Sequence, residues 1–219
     1  MYQIVFKRPI DICGAFFGLI LLSPILLIVV VLIRIQMGAP VFFKQERLGK
    51  NGKIFKIFKF RTMVDNAITI GSGLRMDEKD SRVTKLGNVL RKTSLDELPQ
   101  LFNVLKGEMS LIGPRPPVPY HPYKYEDYDE TQKQRFLVRP GISGYAQVKV
   151  RNNATWEERI VYDVEYVERI GFWFDLYLML TTISITVRQK NISAQGRKKQ
   201  EIIAQHVKTS EERRDDRTL

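Results

Sequence analysis

Two adjacent carboxylates, Asp96 and Glu97, stand between two arginines in the stretch Leu90 to Pro116, LRKTSLDELPQLFNVLKGEMSLIGPRP. Arg91 precedes the pair, and Arg115 follows it inside the rigid sequence Gly113-Pro114-Arg115-Pro116. Carboxylates can hold a metal ion and arginines can grip phosphate oxygens, so one short segment carries the parts of a phosphate-handling site. Asp96 and Glu97 are the candidate metal ligands, and Arg91 and Arg115 the candidate phosphate binders. Acids also cap helices without doing chemistry, and that plainer role fits the same two residues. A glycosidase is excluded. Its two carboxyls flank a sugar at roughly 5 to 9.5 Å, whereas neighbouring helical residues diverge by about 100°.

The element that must position this pair is a helix. Leu98, Leu101, Phe102 and Leu105 recur at helical spacing, and Lys106-Gly107 supplies a last-turn cation and a left-handed cap. Ser94-x-x-Glu97 matches a capping box, but that start would put Pro99 where its missing N–H breaks a helix bond. A start near Asp96 keeps Pro99 inside the first turn and sets both carboxylates at the positive end, where phosphates also bind.

Upstream, Pro40 to Met63 reads as a β-hairpin turning at Asn51-Gly52. Lys59 and Arg61 share one face of its second strand; they either point together into a phosphate site or form a solvated face. Val64 to Arg82 is polar with Gly71-Ser72-Gly73 and reads as a loop able to cover the site. Downstream, Pro116 to Glu130 suits an irregular connection. Arg139-Pro140-Gly141 makes a turn, and Tyr145 to Val150 reads as a short strand. Thr155-x-x-Glu158 is a capping box opening a helix that stops at Gly171. Phe172 to Val187 carries one charge, Asp175, and is short for a membrane span. It reads as a core helix or as an interfacial one with Trp173 and Tyr177 at headgroup depth, and the apolar N-terminal segment favours the interface.

Ile12 to Ile33 is an uncharged run of 22 residues, about 33 Å as a helix and long enough to cross a bilayer. Basic residues stand at both flanks: Lys7 and Arg8 on one side, Arg34, Lys44, Arg47 and Lys50 on the other. Both ends thus carry the cytoplasmic mark. Ser23-Pro24 lies at the midpoint, where proline removes a helix bond and bends the axis. A spanning helix and a bent one that returns to the same face both fit these residues, since proline also occurs in spans.

The chain of 219 residues has a formal net charge of +11, which suggests a polyanionic partner. Residues 1–61 hold ten basic against two acidic side chains, while residues 62–187 are nearly balanced. The excess surrounds the apolar segment, as for a face on anionic lipid, and nucleic acid is not the expected partner. A single cysteine, Cys13, rules out an internal disulfide, and with only His121 and His206 it makes no ordinary zinc site. Residues 188–219 are polar and charged and read as a flexible tail.

TSLDELPQLFNVLKGEMSLIGPRP resembles the signature of the bacterial sugar transferase family, the small monotopic phosphoglycosyl transferases. The likeness extends to KRPID (Lys7 to Asp11), FKQERLG (Phe43 to Gly49), FKIFKFRTM (Phe55 to Met63), RPGISGYAQV (Arg139 to Val148) and the pair Arg151-Asn152, over roughly residues 1 to 187. It implies an α/β, mostly α, monotopic membrane protein. Residues 1–36 would form a re-entrant membrane helix hairpin bent at Ser23 and Pro24. Residues 37–187 would form a compact cytoplasmic catalytic domain with a small β-hairpin and interfacial helices.

The implied activity is transfer of a sugar 1-phosphate from a UDP-sugar to polyprenyl (undecaprenyl) phosphate, releasing UMP, at the cytoplasmic face of the bacterial inner membrane. Asp96 would be the nucleophile, kept ionised by the helix end and the arginines, and would carry a covalent phosphosugar. Glu97 is a base in the family's usual scheme. A phosphate monoester is already largely dianionic at neutral pH, which favours Glu97 as a metal or positioning ligand. Mg²⁺ is the implied cofactor. Lys59, Arg61, Arg139, Arg151 and Asn152 would join Arg91 and Arg115 on the nucleotide sugar, and Lys7 and Arg8 would meet the lipid phosphate. A homodimer and downstream glycosyltransferases are further candidate partners. Val150 and Tyr145 depart from the family's usual Gly and Trp, which touches the sugar preference and leaves the catalytic pair intact. The alternative from another class is a non-catalytic basic protein of membrane surfaces or nucleic acid.

Overall fold

In the computed structural model, residues 1–64, 67, 80–150 and 155–186 are described. Most of the Val64–Arg82 loop, Gly71-Ser72-Gly73 included, together with Arg151, Asn152 and the 188–219 tail, lies outside the described residues. Two units are distinguished, Met1–Thr182 and Ile183–Leu219. Of the second, the described part is helical, residues 183–186.

The apolar run forms one helix, α1 (Lys7–Met37), preceded by a wider π-helical turn (Tyr2–Phe6). Pro24 lies inside α1, which is a single element rather than two separate arms. Proline cannot donate to the Ile20 carbonyl four residues back, and Ser23 Oγ donates to that oxygen at 2.8 Å instead. Inward-facing residues recur once per turn: Lys7, Asp11, Ala15, Gly18, Leu22, Leu26, Val29, Ile33 and Met37 are buried or half-buried. The outer face is apolar and exposed, from Phe16 and Phe17 through Leu21 and Leu27 to Ile35.

β1 (Phe42–Leu48) and β2 (Ile54–Phe60) pair antiparallel, with Phe43 opposite Lys59 and Arg47 opposite Phe55. Asn51 (φ 55°) and Gly52 (φ 73°) make the turn as their sequence requires, both in the left-handed region. α2 (Lys85–Lys92) is capped by Thr84, whose side chain accepts from Gly87 N. α3 (Gln100–Lys106) ends at Gly107, φ 87°. β3 (Ser110–Ile112) then pairs parallel with β4 (Gly141–Ser143). Between them lies α4 (Glu130–Lys133).

Tyr145 to Val150 is not the expected strand. It forms α5 (Tyr145–Lys149), after the shorter strand β4. Tyr145 and Val148 are spaced for a helix as well as for a strand, and burial of Tyr145 against Tyr166 and Leu178 decides between them. α6 (Trp156–Arg169) starts at the expected Thr155/Glu158 capping box. α7 (Phe172–Thr186) exposes Phe172, Trp173, Tyr177 and Leu180.

The core builds on α1 at both ends. Ala15 packs with Phe55, Ile57, Leu101, Val104 and Met109, while Val29 and Ile33 pack with Phe60 and Leu90. Further clusters join Leu48, Tyr128, Phe136, Ile160 and Val164, and Ile112, Val138, Tyr145, Tyr166 and Leu178. Polar bonds fix α1 as well: Asp11 accepts from Ser110 Oγ at 2.7 Å and from Leu111 N at 3.0 Å.

Candidate active site

Between α2 and α3 the chain turns sharply. Ser94 takes the left-handed conformation (φ 56°), unusual for a residue with a side chain, and Leu95–Glu97 forms one 3-10 turn. Pro99 has no N–H for the Leu95 carbonyl, which accepts from Leu98 N at 3.3 Å instead. The α-helix proper therefore begins at Gln100 with Pro99 as its cap, and the two carboxylates lie in the 3-10 turn before it.

The two acids have opposite surroundings. Glu97 Oε1 accepts from Lys59 Nζ at 2.6 Å and from Arg115 Nη2 at 3.0 Å. Burial would raise the Glu97 carboxyl, but the Arg115 and Lys59 charges outweigh it and hold the group well below the usual range. Burial lowers Lys59 against the pull of Glu97, while Glu97 raises Arg115. Asp96 is 8% exposed and makes no hydrogen bond or ion pair among the described residues. Its pKa is raised, because burial outweighs the opposing charges of Lys59, Arg91 and Arg115. Desolvation, rather than the expected helix end and arginines, sets the balance at Asp96. Arg91 is brought to this side by Thr62, whose Oγ1 accepts from its Nε at 2.9 Å.

Arg115 is held from behind by backbone. Gly113 N donates to Ser143 O and Gly141 N to Pro114 O, each at 2.9 Å. A Cβ on Gly141 would lie 2.1 Å from Gly113 N, so only glycine admits this approach. Arg47 Nη1 donates to Pro116 O at 2.9 Å. Burial and the neighbouring Arg115 charge push the Arg47 guanidinium down to about 10.

Asp96, Glu97, Lys59, Arg91 and Arg115 thus converge. The other expected residues are engaged elsewhere. Arg61 caps the end of α1, donating to the carbonyls of Met37, Gly38 and Ala39. Arg139 Nε donates to Gly107 O at 2.8 Å, and Arg8 to Val104 O and Leu105 O at 2.6 and 3.2 Å. Both cap the far end of α3, about 12 to 16 Å from Asp96 by helical rise. Lys7 is buried in an ion pair with Asp175 at 2.6 Å, where Tyr2 and Tyr166 also donate.

Four supporting residues escaped sequence reasoning: Arg47, Asn103, Arg135 and Asp163. Asn103 is fully buried; its Nδ2 donates to Lys56 O and Glu108 Oε2, and its Oδ1 accepts from Phe58 N. It thereby registers β2, and so Lys59, against α3. A polar residue amid Leu101, Phe102 and Val104 was the available signal.

Residues 2–189 match the family described as bacterial sugar transferase. Among curated proteins, an uncharacterized sugar transferase, EpsL of Bacillus subtilis, is 45% identical over 180 residues, 82% of this chain and 86% of the relative. The UDP-glucose:undecaprenyl-phosphate glucose-1-phosphate transferase of Escherichia coli is 39% identical over 186 residues, 81% of this chain and 39% of the relative. The galactosyl transferase CpsE of Streptococcus agalactiae is 40% identical over 196 residues, 84% of this chain and 43% of the relative. The matched region thus spans about two fifths of the last two proteins and most of the first.

Proposed function

The chain belongs to the bacterial sugar transferase family, and from that premise we propose that it moves a sugar 1-phosphate from a UDP-sugar to polyprenyl phosphate, releasing UMP. The observation that carries this reading is the division of labour between adjacent carboxylates. Glu97 is consumed by Lys59 and Arg115, while Asp96 is desolvated and unbonded among the described residues, as suits a nucleophile. An Asp96 oxygen attacks the phosphorus bearing the sugar, and the bond from that phosphorus to the bridging oxygen breaks. UMP leaves with the electron pair, and the phosphosugar stays on Asp96. An oxygen of the polyprenyl phosphate then attacks the same phosphorus and breaks the acyl phosphate bond, restoring the carboxylate. Arg115, Lys59 and Arg91 balance the charge of the transferring group. Glu97, permanently ionised, orients two of those cations and has no proton to give or take near neutral pH.

A hard divalent cation needs oxygen ligands. Asp96 has no hydrogen bond on either carboxylate oxygen among the described residues, and Glu97 has none on Oε2. Among the described residues, no third acid or histidine joins them there. That donor set fits Mg²⁺, which takes one or two carboxylates and completes its shell with phosphate oxygens and water. When bound, the ion would neutralise the diphosphate charge.

The form of α1 supports a membrane arrangement. The longest gap between α1 residues that join the domain's hydrophobic clusters, from Leu19 to Leu26, rises about 10 Å, against about 30 Å of bilayer hydrocarbon. Both halves hold the same domain, which supports entry and exit through one leaflet, at the cytoplasmic face where nucleotide sugars occur. Exposed Trp173 and Tyr177 of α7 suit the same interface.

Purified protein with Mg²⁺, undecaprenyl phosphate and a panel of UDP-sugars tests the chemistry. UMP release, and labelling of Asp96 by UDP-sugar alone, are expected in the native protein and absent in Asp96→Asn. Activity in Asp96→Asn refutes the covalent route. For topology, Gln3→Cys in a Cys13→Ser background should resist a membrane-impermeant thiol reagent in intact cells and react once they are opened.

A further inference from the structure

We infer that the buried Arg135–Asp163 pair is a positioning device for the Pro114–Pro117 turn, fixing where the Arg115 guanidinium meets Glu97 and the substrate's diphosphate. This rests on the proposed reading of the site. Arg135 and Asp163 are 2% and 1% exposed and meet at 2.5 Å. The same Arg135 Nη2 donates to Arg115 O at 2.9 Å. Its guanidinium lies 5.0 Å from the Trp156 ring and 5.3 Å from that of Phe136.

Four consecutive carbonyls in the turn each have their own donor. Pro114 O takes Gly141 N, Arg115 O takes Arg135, Pro116 O takes Arg47, and Pro117 O takes Leu48 N. Prolines at 114, 116 and 117 remove the N–H groups that could have closed the turn on itself. The turn is therefore shaped from outside. At Arg115, whose side chain reaches the site, the outside grip is delivered by a buried ion pair.

As a source of stability the pair is poor. Among the described residues, Arg135 Nε and Nη1 and Asp163 Oδ1 are buried without hydrogen-bond partners. Desolvation offsets much of the attraction between buried charges, and apolar residues of similar volume commonly replace such pairs without loss of stability. What apolar residues cannot do is hold the Arg115 carbonyl. The fold needs volume here, while the site needs the hydrogen bond.

The test separates these roles with Arg135→Met/Asp163→Leu, which keeps volume and removes charge. Its melting temperature should stay within a few degrees of wild type, while UMP release falls about tenfold to a hundredfold. In an Arg115→Ala background the same exchange should cost less than twofold, because the guanidinium it positions is gone. Wild-type activity in the exchange variant overturns the inference, and so does an equal loss in both backgrounds. Binding of inorganic pyrophosphate, measured by calorimetry, gives a second readout independent of turnover. The exchange should weaken it about tenfold, and only while Arg115 is present. Should the exchange variant fail to fold, Arg135→Lys decides, since one ammonium cannot serve both Asp163 and Arg115 O in the guanidinium's geometry. It should lose activity and pyrophosphate affinity in the same Arg115-dependent way, and wild-type values overturn the inference. If native protein releases no UMP from any UDP-sugar, the proposed function fails, and the positioning role is judged on pyrophosphate alone. Unchanged pyrophosphate affinity in the exchange variant then overturns it.

Discussion

Neutralising Asp96 and neutralising Glu97 should move stability in opposite directions, although the residues are neighbours. In Glu97→Gln, Lys59 loses its counter-ion at 2.6 Å in a place where the two side chains are 17% and 21% exposed. Breaking a fully buried pair costs about 3–5 kcal/mol and an exposed one about 0–1 kcal/mol, so about 2 kcal/mol is appropriate here. Arg115, whose side chain is 38% exposed, adds about 0.5 kcal/mol after solvent screening. At about 2–4 °C per kcal/mol for a domain of this size, the melting temperature should fall by about 5–10 °C. Asp96→Asn loses no partner among the described residues and removes a desolvated charge, so its melting temperature should rise by about 2–4 °C.

The pH dependence carries matching signs. Glu97 is held below its unfolded value, so its contribution is complete above about pH 4.3 and is lost as the pH falls through the folded value. Asp96 is raised, so its penalty is present above its folded value and disappears as the pH falls through it. The gap between the variants should be widest near neutrality and narrow towards pH 4 as the Asp96 penalty fades, while the Glu97 contribution still persists at that pH. Thermal unfolding in detergent from pH 7.5 to pH 4 measures it. An Asp96→Asn protein that melts as low as Glu97→Gln would refute the division of labour.

Three further outcomes are expected. The acid limb of UMP release should have its midpoint above the ordinary aspartate value, about 3.9, because burial raises Asp96; a midpoint at or below it contradicts Asp96 as nucleophile. Asn103→Ala should destabilise by about 2–3 kcal/mol in denaturant unfolding, since Phe58 N and Lys56 O lose a buried partner. Gly141→Ala should prevent folding or cut UMP release at least tenfold, because its Cβ would strike Gly113 N at 2.1 Å; near-native behaviour would disprove the close approach.

Local sequence chemistry announced some parts of this fold and left others silent. Asn51-Gly52, the Gly107 cap and the Thr155/Glu158 box each state their structure in two to four residues, and each forms as read. The convergence of Asp96, Glu97, Arg91 and Arg115 was legible because they share one segment. Lys59 and Arg61 were not separable by alternation, since both point off the same strand face. What parts them is the end of α1, whose open carbonyls claim Arg61. The same competition takes Arg8 and Arg139 to the end of α3 and Lys7 to Asp175. A cation's destination depends on which helix ends and buried acids the fold leaves unsatisfied, and sequence spacing does not report that. Tyr145 to Val150 failed for another reason: six residues are too few for periodicity to override burial.

The packing of α1 bears on how the protein comes into being. Ala15, Val29 and Ile33 are members of the domain's own hydrophobic clusters, and Asp11 closes two of its hydrogen bonds. The α1 helix is therefore also a wall of the clusters formed by β2, α2 and α3. β2 and α3 have no finished surface to fold against until that helix is in place. In the proposed membrane arrangement, anchoring and folding become a single event, with α1 as the template. Cutting the chain after Met37 would yield not a soluble enzyme but a domain with one side missing: Phe55, Ile57, Leu101 and Met109 bare at one end, Phe60 and Leu90 at the other.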